Sequence, residues 1–288
     1  MLIVSGQEGY PAPCALLMGG FDGLHLGHGA LLRRAKETGL PVGVMSVLGG
    51  KAGGELFTRT ERRTLFARAG IDFCVEFDFS DGFRNTSPEE FLHALFARVG
   101  AAALFCGEDF RFGRGAAGDT RLLTRLAPCP VTVLPPVLEG GEKISTSRIK
   151  ALVAASEMCG ANALLLCPYF AEGRVEHGRH VGGPVLGFPT LNLSVPPEKV
   201  LPADGVYAGR AETPAGSYPA IVNFGARPTF GVTEKKIEAY LDGFSGDLYG
   251  ADVRVFPERF LRPVMKFASA DALRAQLERD KEALFHVL

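Results

Sequence analysis

The sequence predicts an α/β doubly wound parallel sheet in the N-terminal half, followed by an antiparallel β-barrel with a C-terminal helix. Three observations lead there. The chain has 288 residues, about twice the common domain size of roughly 100–150 residues, which favours two domains. From residue 14 to about 150, short apolar runs alternate with helix-length amphipathic segments, the pattern of a parallel sheet covered by helices. Beyond Pro168 the texture changes to period-two runs bounded by Gly and Pro, which indicates short antiparallel strands closing a barrel. The change places the domains at 1–160 and 161–288.

The N-terminal strands are predicted at Cys14–Met18, Val42–Leu48, Phe73–Phe77, Ala101–Cys106 and Pro130–Leu134. Between the third and fourth, Ser87-Pro88-Glu89-Glu90 reads as a helix start. Ser87 can cap, Pro88 suits the first turn, and Glu90 can reach back to the cap amide. A further helix is expected from just after Ile144 to about Ala155. In the second half, period-two runs cover Tyr169–His177, Gly205–Ala211, Tyr218–Phe224, Lys236–Leu241 and Val253–Phe260. A last helix begins at Ser269, a good N-cap, and aligns Leu273, Leu277 and Leu284 on one face for packing on the barrel.

Bulk properties narrow the function. With 31 Lys and Arg against 32 Asp and Glu, the net charge of -1 gives no general attraction to nucleic acid or an anionic membrane, so any phosphate binding must be local. Six cysteines are spread without a C-x-x-C pair, several in apolar runs, as expected of reduced, buried thiols. No apolar stretch reaches the roughly 18 residues of a membrane span, and the first residues lack the basic flank of a signal peptide. The expectation is a cytoplasmic protein, monomeric or weakly self-associating, with neither nucleic acid nor membrane as partner.

Chemistry concentrates in two places. The first predicted strand runs into Gly19-Gly20-Phe21-Asp22-Gly23-Leu24-His25-Leu26-Gly27-His28 and then a helix. Glycines let the backbone approach an anion, free helix amides point at it, and two histidines at this spacing can both face it. One histidine alone here would more often be structural. In the second half, Thr190 and Asn192 lie two apart in an extended segment and so share a side. A hydroxyl and an amide carbonyl are hard oxygen ligands suited to Mg2+. Glu238 stands in the apolar run Ile237–Leu241, alternating with inward residues, and on pattern alone would be a solvent-facing carboxylate.

The His25-Leu-Gly-His28 run resembles the H-x-G-H signature of nucleotidylyltransferases. In the form Gly-Phe-Asp-Gly-Leu-His-Leu-Gly-His it is similar to bacterial bifunctional riboflavin kinase/FAD synthetases. Gly107-Glu-Asp109-Phe110-Arg-Phe112-Gly113 with Gly118-Asp119 resembles that family's loop on the flavin side, and Ile144-Ser145-Thr146-Ser147-Arg148 its Ser/Thr-rich phosphate motif. From Phe170 to Asp280 five ordered blocks resemble riboflavin kinases: Leu186-Gly187-Phe188-Pro189-Thr190-Leu191-Asn192, Leu201–Ala208, Asn223-Phe-Gly225-Ala-Arg227-Pro228-Thr229-Phe230, Ile237–Leu241 and Asp247–Gly250.

The resemblance implies two ATP-dependent steps with Mg2+, riboflavin to FMN at the barrel and FMN to FAD at the N-terminal sheet. It places the catalytic base at Glu238, the phosphate-handling histidines at His25 and His28, and leaving-group binding at Arg148. Further ATP contacts fall on Gly19, Asp22, Ser145, Thr146 and Ser147 in one site and on Gly187, Pro189, Thr190 and Asn192 in the other. Thr190 and Asn192 are the metal ligands. Flavin contacts fall on Asp109, Phe110, Phe112 and Arg227, and glycines 173 to 187 form a flap over ATP. The chain departs from the family at Val47–Gly54, where a Phe-x-Pro-His-Pro run is replaced by Gly and Lys51. It departs again at Gly20 for Asn, at Gly183-Pro184-Val185 for Gly-Arg-x, and at Val264 for Glu. The first departure leaves a kinase-only reading open beside the two-activity one. From another class, a flavin- or nucleotide-binding regulator without turnover also remains open.

Overall fold

A parallel sheet forms where strand and helix signals alternate, and the computed structural model places one there. It describes residues 1–4, 9–49, 53–176, 190–226 and 235–284. The chain divides into two compact units, Met1–Thr146 and Ser147–Leu288.

The first unit runs β1 (Leu2–Val4), β2 (Tyr10–Leu17), α1 (Leu26–Lys36), β3 (Val42–Leu48), α2 (Arg59–Arg68), β4 (Phe73–Asp78), α3 (Asp81–Asn85), α4 (Pro88–Arg98), β5 (Val99–Gly107), α5 (Thr120–Leu126), β6 (Val131–Leu134), β7 (Leu138–Glu139) and β8 (Glu142–Lys143). Six strands form one parallel sheet in the order β1-β4-β3-β2-β5-β6. From β2 the chain winds to β3 and β4 on one side, then returns to β5 and β6 on the other. The order therefore reverses between β2 and β5, and in such sheets ligands bind in the crevice outside the strand C-termini at that reversal. The segment Gly19–His25 leaves β2 there.

Local chemistry explains the helices. Ser87 caps α4 as expected: its Oγ accepts from Glu90 N at 3.2 Å, and Glu90 Oε2 accepts from Ser87 N at 2.9 Å. Thr58 and Glu61 form the same reciprocal cap on α2. One face of the sheet packs Leu16, Met18, Met45, Phe73 and Val75 against Phe91, Leu92 and Leu95 of α4. Burying each such side chain stabilises the fold by about 1.5–3 kcal/mol. The turn after β5 needs glycine at Gly113, which has φ 73 and where an added Cβ would stand 2.7 Å from Pro88 N.

The second unit carries α6 (Thr146–Ala154), whose first residue closes the first unit, then α7 (Met158–Ala163), β9 (Ala171–Glu176), β10 (Thr190–Ser194), β11 (Gly205–Thr213), β12 (Gly216–Ala226), β13 (Lys235–Leu241), β14 (Asp252–Arg262) and α8 (Ala270–Leu284). The six strands close a barrel in the order β10-β13-β12-β11-β14-β9, every pair antiparallel. Its interior is filled by alternate residues such as Leu193, Val222, Phe224, Ile237 and Ala239, all buried. At Gly209 the backbone of β14 comes so close that a Cβ would stand 1.9 Å from Phe256 O, so only glycine fits. Helix α8 starts where expected, with Ser269 Oγ accepting from Ala272 N at 3.2 Å, and sets Leu284 against Val206, Ala208 and Ile221 on the barrel's outer face.

Four strands differ from the sequence expectation: the two-residue β7 and β8 were not expected, and two more stand out. β1 is a three-residue edge strand, too short to show a period. β10 was expected only as an extended segment and is a full barrel strand. The cysteines also divide: Cys14, Cys74 and Cys106 are buried, whereas Cys159 is exposed, so burial holds for only part of the set. Burial pushes the Cys14 and Cys74 thiols up to about 12.

Candidate active sites

The glycine-rich turn after β2 is tight and strained. Phe21 has φ 37, a left-handed conformation that costs a bulky residue of the order of 1–3 kcal/mol. Its ring explains the bare position before it, since a Cβ at Gly19 would stand 2.8 Å from Phe21 Cε2. The same ring packs on His28 with centroids 4.3 Å apart.

His25 is the N-cap of α1, and His28 is its third residue. Each caps the other: His25 Nδ1 accepts from His28 N at 3.2 Å, and His28 Nδ1 accepts from His25 N at 3.5 Å. The two rings stack with centroids 3.6 Å apart. An imidazole whose Nδ1 accepts is, when neutral, protonated at Nε2, so the caps leave Nε2–H as the donor of each neutral ring. Burial pushes His25 down to about 4; the Lys143 cation pushes the same way and Asp109 opposes it. His25 is therefore held neutral near pH 7.

Asp22 is fully buried and pairs with Arg62, itself 1% exposed, at 2.7 Å. Asp22 Oδ1 also accepts from Leu56 N at 3.1 Å. Arg62 donates to Phe57 O and Val47 O, each at 2.8 Å, and lies 3.1 Å from Glu55 Oε1. Glu55 Oε1 in turn accepts from Gly49 N at 2.7 Å. One guanidinium thus ties the turn after β2, the end of β3 and the segment leading to α2. A buried pair tied into such a network holds geometry more than it adds stability. Sequence reasoning missed Arg62, which sits in the polar run Arg59–Arg63 with nothing to mark it as buried.

The loop after β5 holds the residues expected on the flavin side. Asp109 is exposed and forms an ion pair with Lys143 of β8; despite a desolvation cost, that pair holds its carboxyl below the usual range. Phe110 and Phe112 stack with centroids 5.5 Å apart and belong to the sheet's apolar core, 8% and 6% exposed. They form the floor beneath the loop. Lys143 is a second residue the sequence reading did not single out; its signal is its place directly before Ile144–Arg148. Ser145 and Thr146 are half-buried at the end of the first unit, while Ser147 and Arg148 begin the second, all at the start of α6.

On the barrel, register brings the second set of residues together. Asn192 of β10 lies opposite Glu238 of β13, and Thr190 lies opposite Tyr240. Directly opposite residues share a face, and the neighbouring Leu193–Ile237 and Leu191–Ala239 rows point into the barrel. Thr190, Asn192 and Glu238 therefore share the outer face, two half-buried and Thr190 exposed. Hydroxyl, amide and carboxylate oxygens are a donor set that fits Mg2+. Among the described residues, no group of three or more His, Cys, Asp or Glu side chains could hold a metal alone. Gly187, Pro189, Arg227, Lys51 and most of the flap glycines lie outside the described residues.

Helix α8 closes beside this row. Arg262 binds Asp280 in a bidentate contact through one guanidinium edge, with Nη2 2.7 Å and Nε 3.0 Å from carboxylate oxygens. Gln276 Nε2 donates to Asp280 at 2.8 Å. Arg262 thus has a carboxylate partner although Val264 stands where the family has Glu. Lys281 pairs with Asp242 at 2.9 Å, and Asp242 accepts from Tyr240 at 3.0 Å.

Imidazoles at a helix start, and hard oxygens beside a carboxylate on a barrel strand, are arrangements able to hold phosphates. They place the chain among transferases of phosphorus-containing groups. The family model described as FAD synthetase matches residues 7–148, and that described as riboflavin kinase matches residues 165–288. The bifunctional riboflavin kinase/FMN adenylyltransferase of Escherichia coli (strain K12) is 34% identical, covering 96% of this chain and 91% of the relative. That of Bacillus subtilis (strain 168) is 31% identical over 94% and 91%. The chain belongs to the bifunctional riboflavin kinase/FMN adenylyltransferase family. A solved structure described as a macrolide-efflux protein from Streptococcus pneumoniae is 28% identical, with a TM-score of 0.87 over 99% of both chains. Among the described residues of this chain, no helix is long and apolar enough to cross a membrane.

Proposed function

We propose that the chain phosphorylates riboflavin to FMN on the barrel and adenylylates FMN to FAD, releasing pyrophosphate, at the N-terminal sheet. The observation that carries the reading is the outward row that puts Asn192 beside Glu238, with Thr190 two residues along the same face. Glu238 accepts the proton of the riboflavin 5′-hydroxyl as it attacks the γ-phosphate of ATP. Thr190 and Asn192 supply oxygens to Mg2+, which when bound neutralises phosphate charge. Gly187 and Pro189 contact ATP beside them, and Arg227 contacts the flavin.

At the sheet, the Nε2–H groups of His25 and His28 hold the reacting phosphates as the FMN phosphate attacks the α-phosphate of ATP. Gly19 leaves the backbone open to ATP, and Asp22 keeps the turn in place from beneath. Ser145, Thr146, Ser147 and Arg148 take the ATP phosphates, Arg148 on the leaving pyrophosphate. Asp109 borders the flavin above the floor made by Phe110 and Phe112. The chain would act on small molecules as a cytoplasmic monomer or weak oligomer; its near-zero net charge gives no general attraction to nucleic acid.

A kinase-only reading is favoured by the glycine-rich Val47–Gly54 segment that replaces the family's Phe-x-Pro-His-Pro run. Purified protein supplied with riboflavin, ATP and Mg2+, with flavins separated by chromatography over time, decides between them. FMN followed by FAD is the expected outcome. FMN alone supports the kinase-only reading, and neither product overturns both.

A further inference from the structure

We infer that Asn223 is a substrate-binding residue of the kinase site, where its side-chain amide takes a hydroxyl of the flavin's polyol side chain. The inference rests on the kinase reading above and adds a residue and a ligand group to it.

Asn223 of β12 lies opposite Glu238 of β13, as Asn192 does from the other side. Across β10, β13 and β12 the outer face therefore reads Asn192, Glu238, Asn223, at the roughly 4.8 Å spacing of neighbouring strands. The carboxylate stands in the middle. Asn223 is half-buried, and its Oδ1 is buried with no hydrogen-bond partner among the described residues. Few buried polar atoms in folded proteins lack a partner, and each costs stability that an apolar residue of the same shape would not. The neighbour of Asn223 on the same face is a glycine: this atom lies 4.0 Å from where a Cβ at Gly225 would stand, and Val264 Cγ2 lies 3.6 Å from the same point.

A carbonyl oxygen needs a donor, which a deprotonated phosphate does not have. Hydroxyls of the ribityl chain and hydroxyls or the amino group of ATP do. Position separates these sources. Thr190 and Asn192 handle the nucleotide on one side of Glu238, and the carboxylate between must meet the accepting 5′-hydroxyl. The next hydroxyls of the flavin chain, on consecutive carbons, then fall on the opposite side, over Asn223. The amide there accepts from one hydroxyl through Oδ1 and can donate to another through Nδ2.

The test compares the full-length protein with Asn223→Leu and Asn223→Thr. It measures riboflavin affinity by flavin fluorescence quenching without ATP, KM for riboflavin and for ATP, and the melting temperature. Asn223→Leu is expected to weaken riboflavin binding and raise its KM about tenfold, the upper range for one neutral hydrogen bond. The ATP KM stays put, the melting temperature is equal or higher, and Asn223→Thr recovers part of the affinity. A 4′-deoxy analogue should bind the unmodified protein more weakly than riboflavin, and Asn223→Leu should barely distinguish the two. That comparison reads the contact even if Asn223→Leu folds poorly, because the first arm needs no variant. Lower melting with unchanged riboflavin affinity, or a change in the ATP KM instead, would overturn the inference while leaving the kinase reading intact. If the unmodified protein neither binds riboflavin nor makes FMN, the kinase reading falls and this inference with it.

Discussion

The sheet site and the barrel site hold their reacting groups by opposite means. His25 and His28 sit at the end of a strained turn, kept in place by reciprocal caps and, from below, by the buried Arg62–Asp22–Glu55 cluster. Asn192, Glu238 and Asn223 stand on three adjacent strands and are aligned by the backbone ladder itself. The sheet site thus depends on a buried cluster beneath its turn, whereas the barrel site can lose a side chain and keep its geometry.

The sharpest way to break this contrast is at Glu238. Glu238→Gln should lower FMN formation by about 10²–10⁴-fold, the contribution of a positioned general base. The melting temperature should hardly move; a large fall would show that the ladder alone does not hold the site. Next comes Arg62→Met, which strands the Asp22 and Glu55 carboxylates and should cost about 3–5 kcal/mol. Differential scanning calorimetry should show the loss in the first unit alone, with FAD formation failing before FMN formation.

A smaller effect is expected with pH. His25 takes a proton at about 4 in the fold and at 6.5 when unperturbed. Between those values the unfolded chain binds more protons, so stability rises with pH: this contribution is complete above about 6.5 and lost as pH falls toward 4. His25→Asn keeps a good cap but removes the titration, and should flatten the melting-temperature slope across that window. Smallest is Ser87→Ala, which removes one cap from α4 and should cost about 1 kcal/mol. Urea unfolding should register it with both activities unchanged.

Much of this was legible because local patterns and tertiary structure agreed. The alternation in residues 14–134 located five of the six sheet strands, and the Ser87-Pro88-Glu90 start formed its box to the atom. Paired histidines after a strand pointed to the helix start that holds them. What stayed hidden depended on partners far along the chain. Three residues at β1 carry no period, and a strand at the edge of a parallel sheet gets its hydrogen bonds from β4, some 70 residues on. Arg62 resembles its exposed neighbours Arg59 and Arg63 until the fold buries it. Asn223 lay within a recognised block, yet no spacing in the sequence shows it opposite Glu238, because that alignment arises only when β12 pairs with β13.

The row on the barrel also bears on how activity is gained during folding. Moving β13 by one residue against its neighbours would turn Glu238 into the core and bring Ile237 or Ala239 to the surface. A closed barrel has no free edge at which such a slip could begin, so the misalignment requires opening the whole cylinder. Asn192, Glu238 and Asn223 thus come into line at the moment of closure, and kinase activity should switch on together with slow exchange of the β13 amides, in a single cooperative step.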